Sequence, residues 1–427
     1  MSMPTTPELP RLTAAQAAAR LGIKQATLYA YVSRGLLGRE RTVAGSTFDP
    51  LEVEGFARAR RRDSAAGPTE TRTPTTGGAA GSPLMVLDTD IAQIADDELF
   101  YRGRPVAELI DRPLGEVAAW LWHAPGDAAE SGAALLDSAA VATARSLVAA
   151  LPRDSSLLDR IQTTVTGLAA VDPLRYNASA DGLRRTGALL LAGIPRALSP
   201  VAAPHPASTA ELLWPALTER APTAAGIRAL GAALMLLIDH DLAVSTLAAR
   251  VAASARASGY AVVTAALGAF DSPLHGNASR AAAAMLAAVV AGATPGSALG
   301  AAIRDSGGVP GFGQGMYDGA DARALTLLPL IAAIDGSAPT LAALDAVAAE
   351  VERRAGRLFP NIDLALAALA LATGMRPDAG AAIFAVGRLV GWVAHALDEY
   401  EQRPMRLRPR GHYIGPRPRG LDRGIRP

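Results

Sequence analysis

Cysteine is absent from the 427 residues. That excludes a disulfide framework, a thiolate metal site and a cysteine nucleophile. Lysine is nearly absent, Lys24 being the only one. A Gly-Lys-Ser/Thr phosphate loop and a Schiff-base lysine in the body of the chain are excluded with it. Aromatic residues are scarce, at 4%, although half of the residues are apolar. The core is therefore Ala, Leu and Val, which suits close helix–helix packing better than a β-sandwich. An excess of one charge is lacking too. Lys and Arg number 41 against 40 Asp and Glu, a net charge of +1. That rules out a wholly basic nucleic-acid coat and an acidic disordered chain. The opening MSMPTTPELPRL has no basic region running into an apolar stretch, so no secretory signal is expected. The uncharged stretch 281–303 is mostly Ala and Gly and is broken by Pro295 and Gly296. It predicts two buried helices with a turn, not a membrane span. The expectation is a cytoplasmic protein with no membrane partner.

Three composition zones are present. Residues 10–63 are compact and locally basic. Residues 64–84 are rich in Pro, Gly, Ser and Thr and read as a flexible linker. Residues 85–427 form the main body. Its Ala-Leu runs at 225–238, 241–256, 281–292, 325–334, 340–354, 363–373 and 380–400 carry helical apolar spacing. Asp239, Asp271, Asp305, Asp321 and Asp378 sit near breaks or starts, as caps do. A short hairpin is expected around Leu99. The fold class predicted is all-α.

In the first zone, 12–21 predicts an amphipathic helix with Thr13 as N-cap. Gly22 and Ile23 make a turn, and 25–32 a second helix. The segment resembles a winged helix-turn-helix of the MerR/excisionase type, with a wing from 39–41 and 46–48 and a third helix capped by Asp49. That resemblance implies a second helix in the DNA major groove, with Lys24, Gln25, Thr27, Tyr29 and Arg34 facing DNA. The competing reading is a small helical interaction module with a solvated charged face.

In the Ala-rich body the polar residues are the informative ones. His240 is flanked by acids within an apolar stretch, and His275 follows a Pro and precedes a Gly. A histidine opening a helix is kept neutral by the dipole and can donate a hydrogen bond. Asp363 opens a strongly apolar helix. Burial there raises a carboxyl pKa and makes a base for near-neutral pH. Taken singly, each is equally well a helix cap or a satisfied core polar group.

Eight ordered words carry more. They are TDIAQI with LFYRGRPVAELI (89–110), AAWLWHAPG (118–126), DHDLAVSTLAAR (239–250), PLHGNA (273–278), VPGFGQGMYDGADARA (309–324), FPNID (359–363), IFAVGRLVGWVAHALDE (383–399) and RPRGHYIG (408–415). Together they resemble the citrate synthase family. The resemblance implies a helical two-domain subunit, a small domain at roughly 278–378 closing over the substrate, and a homodimer. It implies condensation of acetyl-CoA or propionyl-CoA with oxaloacetate, then thioester hydrolysis, with no permanently bound cofactor and no metal.

The implied roles follow the same words. Asp363 takes a proton from the acyl methyl, and His275 donates to the thioester oxygen. His240, Arg323, Arg388 and the partner subunit's Arg408 bind oxaloacetate. The backbone of Val309, Pro310, Gly311, Phe312 and Gly313 lies against the CoA adenine. One position departs from the family: a third catalytic histidine is replaced by Gln314. Glutamine donates a hydrogen bond but cannot pass a proton. A second function class therefore stands beside the acyltransferase: a DNA-binding regulator whose body senses acyl-CoA or oxaloacetate.

Overall fold

Small side chains let the helices meet backbone to backbone. In the computed structural model the described residues are 11–42, 45–65 (side chains to 57), 86–199, 207–306, 308–313, 315–355, 358–412 and 414–415. Gly387, in the middle of a 23-residue helix, lies where a Cβ would come 2.5 Å from Leu234 O; at Gly391 a Cβ would overlap Ile238 O. Side chains of ordinary size are excluded along that ridge.

The N-terminal module comprises β1 (Leu12–Thr13), α1 (Ala14–Arg20), α2 (Gln25–Ser33), β2 (Glu40–Thr42), β3 (Gly45–Phe48) and α3 (Pro50–Ala65). Its strands pair antiparallel in the order β1-β3-β2. Thr13 caps α1 in a reciprocal box with Gln16. Asp49 Oδ1 accepts from the N–H groups of Leu51 and Glu52 and starts α3. The module has its own small core, including Ala17, Leu28, Phe48 and Val53. α3 runs to Ala65, so helix replaces the first two residues of the expected linker; the rest of 64–84 lies outside the described residues.

The body opens with a sheet of β4 (Ala92–Ala95), β5 (Glu98–Tyr101) and β6 (Arg104–Pro105), antiparallel in that order. Asp96 and Asp97 take positive φ of 51° and 61° between β4 and β5. Two such residues make the tight turn whose twist matches a hairpin. The helices follow: α4 (Leu114–Leu121), α5 (Ala128–Leu135), α6 (Ser138–Ala149), α7 (Leu157–Val171), α8 (Ala180–Leu198), α9 (Thr209–Leu217) and α10 (Ala224–Leu236). Then come α11 (Val244–Ser254), α12 (Gly259–Phe270), α13 (Ala278–Val290), α14 (Pro295–Ser306), α15 (Ala322–Ala332), α16 (Ala338–Ala355), α17 (Ile362–Thr373) and α18 (Ala379–Glu401). The fold is thus mostly helical, as expected; the hairpin expected around Leu99 is the β4–β5 pair, and the two small sheets are its only strands among the described residues.

The stretch 281–303 lies in α13 and α14, with Pro295 opening the second helix, as its composition predicts. α18 is the hub, packing on α8, α10, α11 and α12. It is long and apolar enough to cross a membrane, but its apolar stretch is wholly buried inside the protein. α13, α14, α16 and α17 pack on one another. Finally, α3 packs on α16, and Leu51 of α3 is fully buried in the body's core, not the module's.

Candidate active site

α17 begins where Asn361 folds its side chain back. Asn361 Oδ1 accepts from the N–H groups of Asp363 (3.0 Å) and Leu364 (3.3 Å), which caps the helix. The cap places Asp363 in the first turn, with its Oδ1 buried and without a hydrogen-bond partner among the described residues. Burial pushes its carboxyl up to about 6; the Arg323 guanidinium opposes that rise and Asp321 adds to it.

The turn 309–313 is tied to the same cap. Asn361 N–H donates to Gly311 O (2.9 Å), Gly313 N–H to Phe359 O (2.8 Å), and Asn361 Nδ2 to Gly313 O (2.9 Å). Gly311 has a φ of 79°, and a Cβ there would stand 2.8 Å from Leu364 Cβ. Both facts demand glycine. Val309 and Phe312 are buried. Pro310, Gly311 and Gly313 complete the turn; Gln314 lies outside the described residues.

His275 sits in the turn before α13, not in the helix. Its Nε2 meets Ser245 Oγ at 2.7 Å, and Trp392 Nε1–H donates to the same Oγ at 3.2 Å. The rings of Phe270 and Phe384 stand edge-on to the imidazole, at 4.9 and 5.7 Å. Gly276 allows this, because a Cβ there would collide with the Phe270 ring. The imidazole pKa is lowered to about 4, by burial first and by Arg388 second. The sequence reading credited a helix dipole; the structure replaces that cause with burial in an aromatic cage.

His240 is buried with Nε2 at 3.1 Å from the Tyr317 hydroxyl. Burial, Arg323 and Arg388 together hold it well below the usual histidine range. Arg323 is buried and gives Nε and Nη2 to the Asp321 carboxylate, at 3.0 and 2.8 Å. Asp321 also caps α15, accepting from Arg323 N–H, and accepts from Ile362 N–H. Arg388, on α18, donates Nε to Leu237 O at 2.7 Å and lies 4.8 Å from the Phe384 ring centroid. Its Nη1 is buried with no partner among the described residues, and burial lowers its pKa to about 10.

His240, His275, Arg323, Arg388 and Asp363 thus form one electrostatic cluster drawn from five places in the chain. It offers a raised carboxyl, two neutral imidazoles and two guanidiniums in a setting of low polarity. That set can withdraw a proton from a carbon acid and hold a small dianion. Arg408 is exposed beyond α18 and makes no ion pair among the described residues. The module's residues are apart: Lys24, Gln25, Tyr29 and Arg34 are exposed and Thr27 half-buried.

Residues 81–410 match the family described as citrate synthase, C-terminal domain. The chain belongs to the citrate synthase family. It is 26% identical over 348 residues to 2-methylcitrate synthase 2 of Corynebacterium glutamicum, covering 75% of this chain and 89% of that one. It is 27% identical over 364 residues to citrate synthase 2 of Bacillus subtilis, covering 78% and 94%. The crystal structure of citrate synthase from Pyrobaculum aerophilum superposes with a TM-score of 0.66 at 26% identity, over 84% of this chain and 99% of that one. The Thermoplasma acidophilum enzyme, solved as a ternary complex with carboxymethyl coenzyme A and oxaloacetate, has the same fold at 24% identity. Its TM-score is 0.66, over 79% and 95% of the two chains.

Within the family words, the residues around the cluster were left without roles. Ser245, Tyr317, Asp321, Asn361 and Trp392 all lie in those words or beside residues assigned from them, but the words do not say which of them touch. Asp239 is the clearest revision. Expected as a cap, it is buried and accepts from His395 Nε2 at 3.0 Å. Arg250 donates to His395 Nδ1 (3.1 Å) and pairs with Glu399 (3.1 Å), which also holds Arg406 (2.5 Å). This buried polar chain runs from the residue before His240 to the segment that carries Arg408.

Proposed function

We propose that the protein condenses acetyl-CoA or propionyl-CoA with oxaloacetate to give citrate or 2-methylcitrate and CoA. The observation that carries the reading is Asp363: a carboxyl with a pKa near 6 and a buried oxygen without a partner among the described residues, linked through Arg323 to the cluster that holds a neutral His275. Asp363 takes a proton from the carbon next to the thioester carbonyl. Trp392 donates to Ser245 Oγ, and in this reading the hydroxyl proton goes to His275 Nε2, which leaves the ring's hydrogen on Nδ1. That N–H donates to the thioester oxygen and stabilises the enolate.

Oxaloacetate's carboxylates are taken by Arg388, whose Nη1 is free, by Arg323 and by the partner subunit's Arg408, with His240 alongside. The enolate carbon attacks the ketone, Gln314 donates to the oxygen that becomes alkoxide, and water then cleaves the thioester to release CoA. The turn of Val309, Pro310, Gly311, Phe312 and Gly313 receives the CoA adenine. The small domain, roughly 278–378, closes on the large one, and the active unit is a homodimer. CoA is substrate and product, not a resident cofactor.

The test is thiol release from acetyl-CoA and propionyl-CoA, each with and without oxaloacetate. Release only with oxaloacetate is expected; no dependence on oxaloacetate at any protein concentration sinks the reading. The comparisons lend no support to the whole chain as a regulator. For the N-terminal module alone, DNA contact through Lys24, Gln25, Thr27, Tyr29 and Arg34 remains our proposal. It is motivated by the order helix, turn, helix, hairpin, helix. Selection from a random duplex pool should enrich one sequence, and enrichment should vanish with Arg34→Ala.

A further inference from the structure

Residues 11–65 precede the family match, which begins at 81. They are nevertheless seated on the body at two points. α3 packs on α16, and Leu51 is fully buried in the body's core while the module's own core is made of other residues. Secondly, the Arg20 guanidinium lies directly against Gly308, where a Cβ would collide with it. Arg20 is paired with Glu54 of α3, so both seats belong to one rigid corner of the module.

Those two points lie at Gly308 and on α16, elements that neighbour in sequence the two paired segments before Asp363. Gly308 enters the 309–313 turn, and α16 leads toward Phe359, Pro360 and Asn361. The segments are joined by Gly313 N–H to Phe359 O, Asn361 N–H to Gly311 O, Asn361 Nδ2 to Gly313 O and a bridge between Phe312 and Pro360. Few bonds hold this pair together, and such short pairings open readily unless something outside steadies them. The face of α2 meanwhile stays open, with Lys24, Gln25 and Tyr29 exposed.

We propose that the N-terminal module is an intramolecular clamp on this turn pair, so that the module and a ligand held by the 309–313 turn strengthen each other's hold. The effect on acyl-CoA rests on the reading given above; the clamp itself does not. Coupling of this kind is reciprocal. Whatever binds the open α2 face while the clamp is seated therefore also acts on the ligand turn.

The experiment is hydrogen exchange by mass spectrometry on the full chain, with CoA affinity measured by calorimetry. Leu51→Asp opens the α16 seat without emptying the module's own core, and Arg20→Ala removes the contact at Gly308. Glu40→Gln is the control, since it weakens the Arg11–Glu40 pairing inside the module and involves neither Arg20 nor Leu51. Peptides covering 308–313 and 358–363 should exchange at least threefold faster in the first two variants and as in wild type in the control. The dissociation constant for CoA should rise at least threefold in the same two. If both peptides keep their wild-type exchange in Leu51→Asp while α16 peptides become exposed, the clamp is overturned. If Leu51→Asp disturbs α1 and α2 themselves, Arg20→Ala decides alone, and unchanged exchange there overturns the proposal. A wild-type chain that does not bind CoA refutes the acyl-CoA reading, and the exchange result still judges the clamp.

Discussion

Asp363 carries two opposed demands. As a base it must be ionised, yet burial disfavours the ionised form and lifts its pKa from 3.8 to about 6. Turnover should therefore fall as pH drops through about 6 and level off above it, read as an acid limb in kcat/KM. Asp363→Asn should lower kcat by on the order of 10²–10⁴. The same substitution should raise stability. The unfolded carboxyl ionises near 3.8 and the folded one near 6, so the folded state is penalised progressively across that window and fully above it. Removing the penalty should add about 1–3 kcal/mol at neutral pH, measured by urea unfolding. Gln314 makes the converse case. Gln314→His restores a group that can pass a proton, and should raise condensation by about one to three powers of ten. A neutral or harmful effect in a folded protein would mean that the pocket has been reshaped for another keto acid or for binding alone. The acid's place was legible in the sequence because the apolar run after it marks a buried helix start; its use as a base came from the family words, since an acid there is as readily a cap. The neutrality of His275 was legible too, but its cause was not: Phe384 comes from α18, far along the chain, and Phe270, though near in sequence, is turned onto the imidazole only by the fold.

At the scale of elements, the glycines decide which helices approach. Gly276 lets the turn before α13 lie on Phe270, and Phe270 in turn packs on His275, Phe384 and Trp392. Gly276→Ala should cost about 1–3 kcal/mol by overpacking and should lower kcat through a displaced His275; melting temperature and single-turnover rates check both. Gly387 and Gly391 do the same for α18 against 234–238. Helical periodicity placed α10, α11, α13 and α15 to α18 within a few residues, because each buries an apolar stripe, and it gave no run for α12. It was silent on which stripe meets which. Helix pairing is set by gaps left by single glycines, and composition does not show a gap.

Taken whole, the molecule has one large core with the N-terminal module resting on it through Leu51. Composition alone divided the chain near a polar linker and so pictured two independent units; the buried Leu51 is a single apolar side chain at a helix start, which no composition window detects. The polar chain from Asp239 to Arg406 escaped notice for a related reason. His395 and Glu399 read as one helix turn, and only tertiary packing brings Arg250 between them. Breaking it should show graded costs. Arg250→Met leaves Glu399 with Arg406 alone and His395 Nδ1 without its donor, and should destabilise toward the lower end of about 3–5 kcal/mol. Arg406→Ala should cost less, because that side chain is 29% exposed and Arg250 still pairs Glu399. Equilibrium unfolding of the two variants gives the ranking, and equal costs would place the network's strength elsewhere.

That polar chain also sets an order of assembly. Asp239 and His395 are 156 positions apart, and Tyr101, whose hydroxyl donates to Asp239 O, lies 138 positions before it. A nascent chain that has made His240 still holds a charged neighbour with no partner, and α18 must emerge before the partner exists. Loop closure over such distances is slow. Until then the half-built pocket is a place where a newly made chain waits with its arginines and carboxylates in water. The pocket is therefore completed only once α18 has emerged, and a ribosome stalled before α18 is expected to display a chain that lacks both its central helix and its dianion site.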